Sequence, residues 1–261
     1  MVIVDMRHAD RTSITGLGEK FQTTQWSVIR AAQTDDQTRR RMIVGNLMER
    51  YWRPVYSYLR YKGYDNEKAK DLTQGFFGEI VWRGELFRRA DQSKGRFRTL
   101  LLTALERYVV SSLRKENAQK RRPSAGFVEM ETDEFLLLPA TQAGVTADEM
   151  FYRSWAVDLI SGVLSQVQQE CEQTGKSGHW CVFAAKVLVP ILHNTEAPPL
   201  EEICHTYGVE DEAKASNMII TVKRRVQAVL RRCLRDLVAS DEEVEDEFHE
   251  ILAILSKSSA G

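Results

Sequence analysis

The sequence predicts an all-α fold, with two helical domains joined by a partly helical segment. Leu, Glu, Arg, Lys and Ala abound, whereas the 15 Gly and six Pro are too few for a turn-rich β protein. Apolar residues recur every three or four positions, which is the period of a helix with one buried face. At 261 residues the chain is long enough for two cores of roughly 100 residues each.

The N-terminal elements are a short helix followed by a helix pair. A short helix begins near residue 25, with Trp26 and Ile29 on one face. A helix pair spans about 40–62, where apolar residues recur every four positions and Pro54 restarts or kinks the run. Gly63 ends this pair.

Two further helices complete a first domain over residues 1–122. Asp65 is suited to cap a helix over about 66–82. After a loop around DQSKG, a long helix runs to about residue 122. Its inward-facing side chains are predicted to be Phe97, Leu101, Leu105 and Tyr108.

Residues 123–195 are interpreted as a linker with additional helices. Periodicity is lost between about 123 and 147, a stretch that is also acidic. A helical module then resumes, and a further helix over about 180–193 is apolar on most sides and should be buried. The predicted core positions of the first of these helices are Phe151, Trp155, Leu159 and Val163.

Residues 196–261 have the pattern of a helix-turn-helix followed by a terminal helix. A short helix ends at Tyr207, Gly208 provides its left-handed cap, and a second helix runs over about 211–238. The last helix is amphipathic, and its apolar face is predicted to contain Val244, Phe248, Leu252 and either Ile254 or Leu255.

Charge is strongly segregated, although 36 basic and 37 acidic residues give a net charge of only −1. Residues 88–122 contain 11 Lys or Arg against three acids, a local charge of +8, and 223–235 contain six Lys or Arg. Two separated basic helices indicate two separate contacts with an anionic partner. The acidic residues 241–250 can either shield these helices or form a solvated face, and the solvated face is the favoured interpretation.

Several classes of protein are disfavoured. The sequence has no phosphate-binding glycine loop, no H-E-x-x-H and no G-x-S-x-G, and its five histidines do not cluster with a nucleophile. The spacing of its four cysteines fits no zinc pattern, so reduced thiols are expected. We therefore expect no enzymatic activity, no metal and no cofactor. Without a signal core or an apolar run of about 18 residues, a cytoplasmic protein with no membrane contact is expected.

Nucleic acid is the anionic partner that the residues favour, over a solvated basic face. On the second helix of the helix-turn-helix, Ser216 and Asn217 precede the cations at 223–225, an order that suits base contact first and phosphate contact after. In the N-terminal basic helix Tyr108 lies among arginines, where an aromatic ring can stack on an unpaired base. A buried Tyr108 is the equally weighted alternative.

Several of these motifs together resemble those of bacterial sigma factors of the extracytoplasmic-function type, in particular a subgroup with a long helical segment between its two DNA-binding domains. The resemblance runs from about Phe21 to Leu255. It is carried by TTQWS, LMERYWRPVYSYLR, DLTQGFF, GRFRTLLLTALERYVVSSLRKENAQKR, ADEMFYRSWAVDLISGVL, ASNMIITVKRRVQAVLRRCLRDLV and EEVEDEFHEILAIL.

The resemblance implies transcription initiation, with core RNA polymerase (its β′ clamp and β flap) and promoter DNA as partners. Core-polymerase binding maps onto Asp71, Gln74 and Phe77. Opening and holding of the −10 element maps onto Arg96, Arg98, Arg107, Tyr108 and Arg114. Reading of the −35 element maps onto Ser216, Asn217, Thr221, Lys223, Arg224 and Arg225.

A different interpretation stays open at this point. A helix-turn-helix regulator or adaptor could have this architecture without engaging polymerase. The sequence also leaves open whether an anti-sigma factor or another regulator binds the chain, and which promoter it would recognise.

Overall fold

A computed structural model describes residues 26–31, 37–81, 85–120, 145–238 and 240–256. These residues form helices and turns and include no β-strand, which confirms the all-α prediction. The α-helices are α1 (Trp26–Ala31), α2 (Gln37–Tyr61), α3 (Asn66–Phe76), α4 (Glu85–Arg89), α5 (Phe97–Lys120), α6 (Ala147–Gln173), α7 (Ser177–Phe183), α8 (Val189–His193), α9 (Leu200–Tyr207), α10 (Glu212–Arg235) and α11 (Glu243–Ser256). A π-helical turn (Phe77–Val81) extends α3, another (Ala184–Leu188) joins α7 to α8, and a 3-10 turn (Gln92–Lys94) precedes α5.

Helix α2 is one continuous helix, so the predicted helix pair is wrong. Pro54 lies in its interior, where the missing N–H removes a single helical hydrogen bond. Tyr51 and Val55 on either side of it are fully buried, and this packing holds the helix together across the proline. Gly63 ends α2 with φ 90°, and the Asp65 carboxylate accepts the Lys68 amide at 2.8 Å to cap α3, both as predicted.

Helix α5 packs against α3 through the residues predicted to face inward. Phe97, Leu101, Leu105 and Tyr108 are all buried. At Gly75 of α3, an added Cβ would collide with the Tyr108 hydroxyl. The absence of a side chain at this position therefore lets the Tyr108 ring lie against α3.

Helix α6 is the longest helix described, and it contacts both the N-terminal and the C-terminal helices. A capping box between Thr146 and Glu149 begins it. Its first half packs antiparallel to α2, with hydrogen bonds from Tyr61 to the Val145 carbonyl (3.1 Å) and from Arg53 to Asp158 (2.9 Å). Helix α6 also contacts α11, and its second half contacts α10, where Glu170 pairs with Arg225. The predicted core positions Phe151, Trp155, Leu159 and Val163 are buried.

The C-terminal helices begin with a segment that is only partly buried. Residues 180–193 were predicted to be buried, but Ile191 and Leu192 are 72% and 67% exposed, so the prediction is wrong for the end of this segment. The π-helical turn before α8 changes the direction of successive side chains. Pro190 is buried while its two successors face outward.

Helix α11 buries the predicted face only in part. Val244 and Ile251 are buried, Phe248 is half-buried, and Leu252 faces outward. The inward position between Val244 and Ile251 belongs to Glu247, which is fully buried.

The buried side chains of the described N-terminal and C-terminal helices form one continuous cluster. The proposed boundaries at residues 122 and 195 stay a prediction, and residues 123–144 of the predicted linker lie outside the described residues. None of the described helices combines the length and the apolarity that crossing a bilayer requires.

Candidate nucleic-acid interface

Helices α9 and α10 form the predicted helix-turn-helix. Gly208 ends α9 in the left-handed region at φ 64°, a conformation that suits glycine. The Asp211 carboxylate accepts the Lys214 amide at 2.7 Å and so caps α10. These two local signals define where α9 ends and where α10 begins.

One face of α10 is buried and the opposite face is open to solvent. The buried stripe contains Ala215, Ile219, Val222, Val229 and Leu230. Asn217, Thr221 and Arg224 are exposed and recur at helical spacing, so they share the solvent face. The Thr221 hydroxyl donates to the Asn217 carbonyl at 2.8 Å. This row presents an amide, a hydroxyl and a guanidinium to a partner in solution.

The other predicted −35 residues lie beside this row. Lys223 is exposed and makes no ion pair with a described residue, and Ser216 is half-buried. Arg225 is already paired, since its Nε lies 2.5 Å from a Glu170 oxygen on α6. Burial alone would raise the pKa of Glu170, but the hydrogen bonds from Arg225 and Gln166 lower it below its ordinary value. The salt bridge ties α10 to α6 and leaves Lys223 and Arg224 as the available cations.

The predicted polymerase-binding residues separate into two groups. Asp71 and Gln74 are exposed one turn apart on α3. Phe77 is 1% exposed and stacks on Trp52 with ring centroids 6.3 Å apart. Phe77 lies four residues after the buried Thr73, so the two side chains share a buried face of α3 and its π-helical extension. In this structure Phe77 is therefore a core residue and cannot contact a partner.

The predicted −10 residues separate in the same way. Arg107 and Arg114 are exposed two turns apart on α5, without an ion pair to a described residue. Tyr108 is 8% exposed and packs against Phe76 with centroids 5.8 Å apart, and burial raises its pKa. The buried alternative for Tyr108 therefore describes this structure, and no base can stack on the ring as it lies.

Arg96 and Arg98, at the start of α5, are held by carboxylates of α11. Arg96 Nε lies 2.6 Å from one oxygen of Glu247, and Arg98 Nη1 lies 2.5 Å from the other. Glu250 pairs with both arginines. Arg98 is 3% exposed, and its guanidinium lies 4.3 Å from the centre of the Trp155 ring on α6. In this arrangement Arg98 cannot reach a phosphate.

The acidic helix α11 was interpreted from sequence as a solvated face, and this interpretation is wrong for Glu247 and Glu250. The less favoured alternative, in which residues 241–250 shield the basic helices, describes these two residues, although the sequence did not identify them as partners of α5. One signal was present: Glu247 occupies an inward position of the apolar stripe between Val244 and Ile251. An acid inside such a stripe needs a cation of its own.

A second basic surface was also missed. Arg30, Arg88, Arg89 and Lys94 line an open depression of about 600 Å³ with Trp26 among its walls. Lys94 pairs with Asp91 at 3.2 Å. The cations come from α1, α4 and the turn before α5, which the sequence alone does not bring together.

The possible metal ligands and the cysteines of the described residues do not form a cluster. Among the described residues no three His, Cys, Asp or Glu side chains are grouped to hold a metal ion. The four cysteines are free thiols, and burial raises the pKa of Cys233 to about 11. A thiol with that pKa is protonated at neutral pH and is a poor nucleophile.

Comparison of the chain with protein-family models, curated proteins and solved structures finds no match.

Proposed function

We propose that the protein is a sigma factor that binds core RNA polymerase and directs promoter-specific transcription initiation. The observation that carries the DNA-binding part is the exposed row of Asn217, Thr221 and Arg224 on the second helix of a helix-turn-helix. A helix in this position can place such side chains in the major groove of duplex DNA. The polymerase part rests on the resemblance of the motifs.

Two further features support this proposal. Asp71 and Gln74 are the residues that the resemblance assigns to core binding, and both are exposed on α3. Arg107 and Arg114 are exposed on α5, at the positions assigned to the −10 element. These surfaces lie on different helices, so contact with polymerase through one leaves the other available to DNA.

The test is run-off transcription with purified core enzyme on a panel of upstream regions from the protein's own genome. Wild-type protein should produce discrete transcripts, and Asp71→Ala/Gln74→Ala should abolish them while its helical content is unchanged. Glu67→Ala provides a matched control, because Glu67 is an exposed acid on the same helix outside the predicted contact. Transcripts of equal yield from the double variant would contradict the assigned core contact.

A second candidate is a helix-turn-helix regulator that does not engage polymerase. One observation favours it: the solvent face of α10 is open, whereas Phe77, Arg98 and Tyr108 of the N-terminal helices are buried. Such a regulator would bind duplex DNA tightly but would neither co-purify with core enzyme nor yield run-off transcripts. Co-purification therefore separates the two functions.

A further inference from the structure

The segment after α10 is attached to the N-terminal helices at several points. Glu247 and Glu250 pair with Arg96 and Arg98. Just after α10, the Leu237 carbonyl accepts the Trp26 indole N–H at 3.3 Å. The adjacent Val238 carbonyl accepts the Gln92 amide at 2.9 Å. These contacts join residues that are far apart in sequence and hold α11 over the start of α5.

The ion pair at the centre of this contact is unusual in its burial. Glu247 is fully buried and Arg98 nearly so, and Arg98 Nε has no hydrogen-bond partner among the described residues. Burying two charges costs much of the attraction between them, so such a pair is weak evidence for a role in stability. A contact of this kind is better suited to an interaction that opens and closes, because a competing anion can replace the carboxylates on the arginines.

The same acidic segment also neutralises the end of α10. Arg231 Nε lies 2.7 Å from Glu245, and Arg235 Nε lies 2.6 Å from Asp241. One acidic stretch therefore covers cations of both predicted DNA-binding helices. The cations nearest the middle of α10, Lys223 and Arg224, are left uncovered.

We propose that α11 is an intramolecular inhibitor whose Glu247 and Glu250 carboxylates occupy a nucleic-acid phosphate site formed by Arg96 and Arg98. This inference rests on the proposed function, because Arg96 and Arg98 are among the residues assigned to the −10 element. Phosphate oxygens and carboxylate oxygens are alternative acceptors for the same guanidinium groups. Nucleic acid and α11 therefore compete, and each weakens binding of the other by the same factor.

The test compares two double variants that change net charge equally. Glu247→Gln/Glu250→Gln removes the carboxylates that face α5. Glu242→Gln/Asp246→Asn removes two acids that are exposed and lie in or next to the same helix. Binding of a fluorescein-labelled single-stranded oligodeoxynucleotide is measured by anisotropy for wild type and both variants at one salt concentration.

The first variant should bind the oligonucleotide about tenfold more tightly or better, because apparent affinity rises as the open fraction rises. The matched variant should gain far less, through its net charge alone. Equal gains in both variants would overturn the inference, and so would release of α11 without any gain in affinity.

Release of α11 is measured separately by hydrogen exchange of its backbone amides. Exchange in residues 243–256 should be faster in the first variant than in wild type. It should also become faster in wild-type protein when the oligonucleotide is added, a measurement that depends on no substitution. Binding of the oligonucleotide with α11 still protected would overturn the inference.

The outcomes also separate this inference from the proposed function. If the oligonucleotide binds and releases α11 but core enzyme yields no run-off transcripts, the inhibitor assignment stands and the sigma assignment fails. If transcripts form and the first variant binds no better than the matched one, the sigma assignment stands and the inhibitor assignment fails.

Discussion

Gly75→Ala should destabilise the protein, although alanine is the better helix former. In an unhindered helix interior, alanine is favoured over glycine by roughly 0.8–1.0 kcal/mol. At Gly75 the new methyl group would collide with the Tyr108 hydroxyl, and the Tyr108 ring is packed against Phe76. Overpacking of this kind costs about 1–3 kcal/mol. The expected net effect is a loss of about 1 kcal/mol in the free energy of unfolding.

Gly45→Ala is the matched control for this change. Gly45 lies inside α2, and an added Cβ there would have no neighbour within 4 Å. The same substitution should therefore stabilise the protein by up to about 1 kcal/mol. For a chain of this size, 1 kcal/mol corresponds to a change in Tm of about 2–4 °C. Thermal unfolding followed by circular dichroism should show shifts of opposite sign.

The Tyr108→Phe background tests whether the Tyr108 hydroxyl causes the loss of stability in Gly75→Ala. Without the hydroxyl, the nearest ring atom is the Cζ carbon, 3.3 Å from the position of the added Cβ. Gly75→Ala should then be close to neutral, so the two substitutions should be strongly non-additive. An increase in Tm for Gly75→Ala in the wild-type background would refute the proposed packing of α3 on α5.

Three further predictions concern single side chains. Arg224→Ala should reduce the slope of log affinity for duplex DNA against log salt concentration by about one unit. Arg225→Ala should reduce this slope less, because Glu170 already pairs with Arg225. Equal changes of slope for the two variants in anisotropy titrations would contradict this difference. The pKa of Glu170 is lower in the folded protein than its ordinary value of about 4.5. Ionised Glu170 therefore stabilises the folded state at a pH above about 4.5, and this stabilisation is lost as the pH falls through the lowered pKa. As the pH is lowered, Tm should decline less for Glu170→Gln than for wild type. Phe77→Ala should cost about 3–5 kcal/mol by removing a buried ring, and an unchanged Tm would place Phe77 at the surface.

The sequence was sufficient where the signal was local. The cap at Asp65 and the left-handed Gly208 each depend on a few neighbouring residues, and both are confirmed. The spacing of Phe151, Trp155 and Leu159 predicted the buried face of α6 because a regular helix keeps its 3.6-residue period.

Prediction from the sequence failed where a helix departs from that period, where a helix buries a further face, or where two contacting residues are distant in the sequence. The π-helical turn before α8 leaves Ile191 outward, and this turn has no recognisable sequence signal. Phe77 lies one helical turn after the buried Thr73, on a buried face of α3 that the sequence prediction did not include. The pairing of Arg98 with Glu247 joins residues about 150 positions apart, and periodicity within one helix contains no information about such a partner.

The charge segregation along the sequence is partly cancelled by pairing in the folded protein. The basic and acidic blocks meet in the folded protein, where Glu247 faces the start of α5 and Glu245 faces the end of α10. Among the described residues, the cations that remain exposed include Arg107 on α5 and Arg224 on α10. A short exposed cluster attracts a polyanion weakly, since affinity depends on how many phosphates are neutralised together. Displacement of α11 would add Arg96 and Arg98 to Arg107 and Arg114 along α5, and this is the physical route by which a nearly neutral chain could present a strongly basic helix.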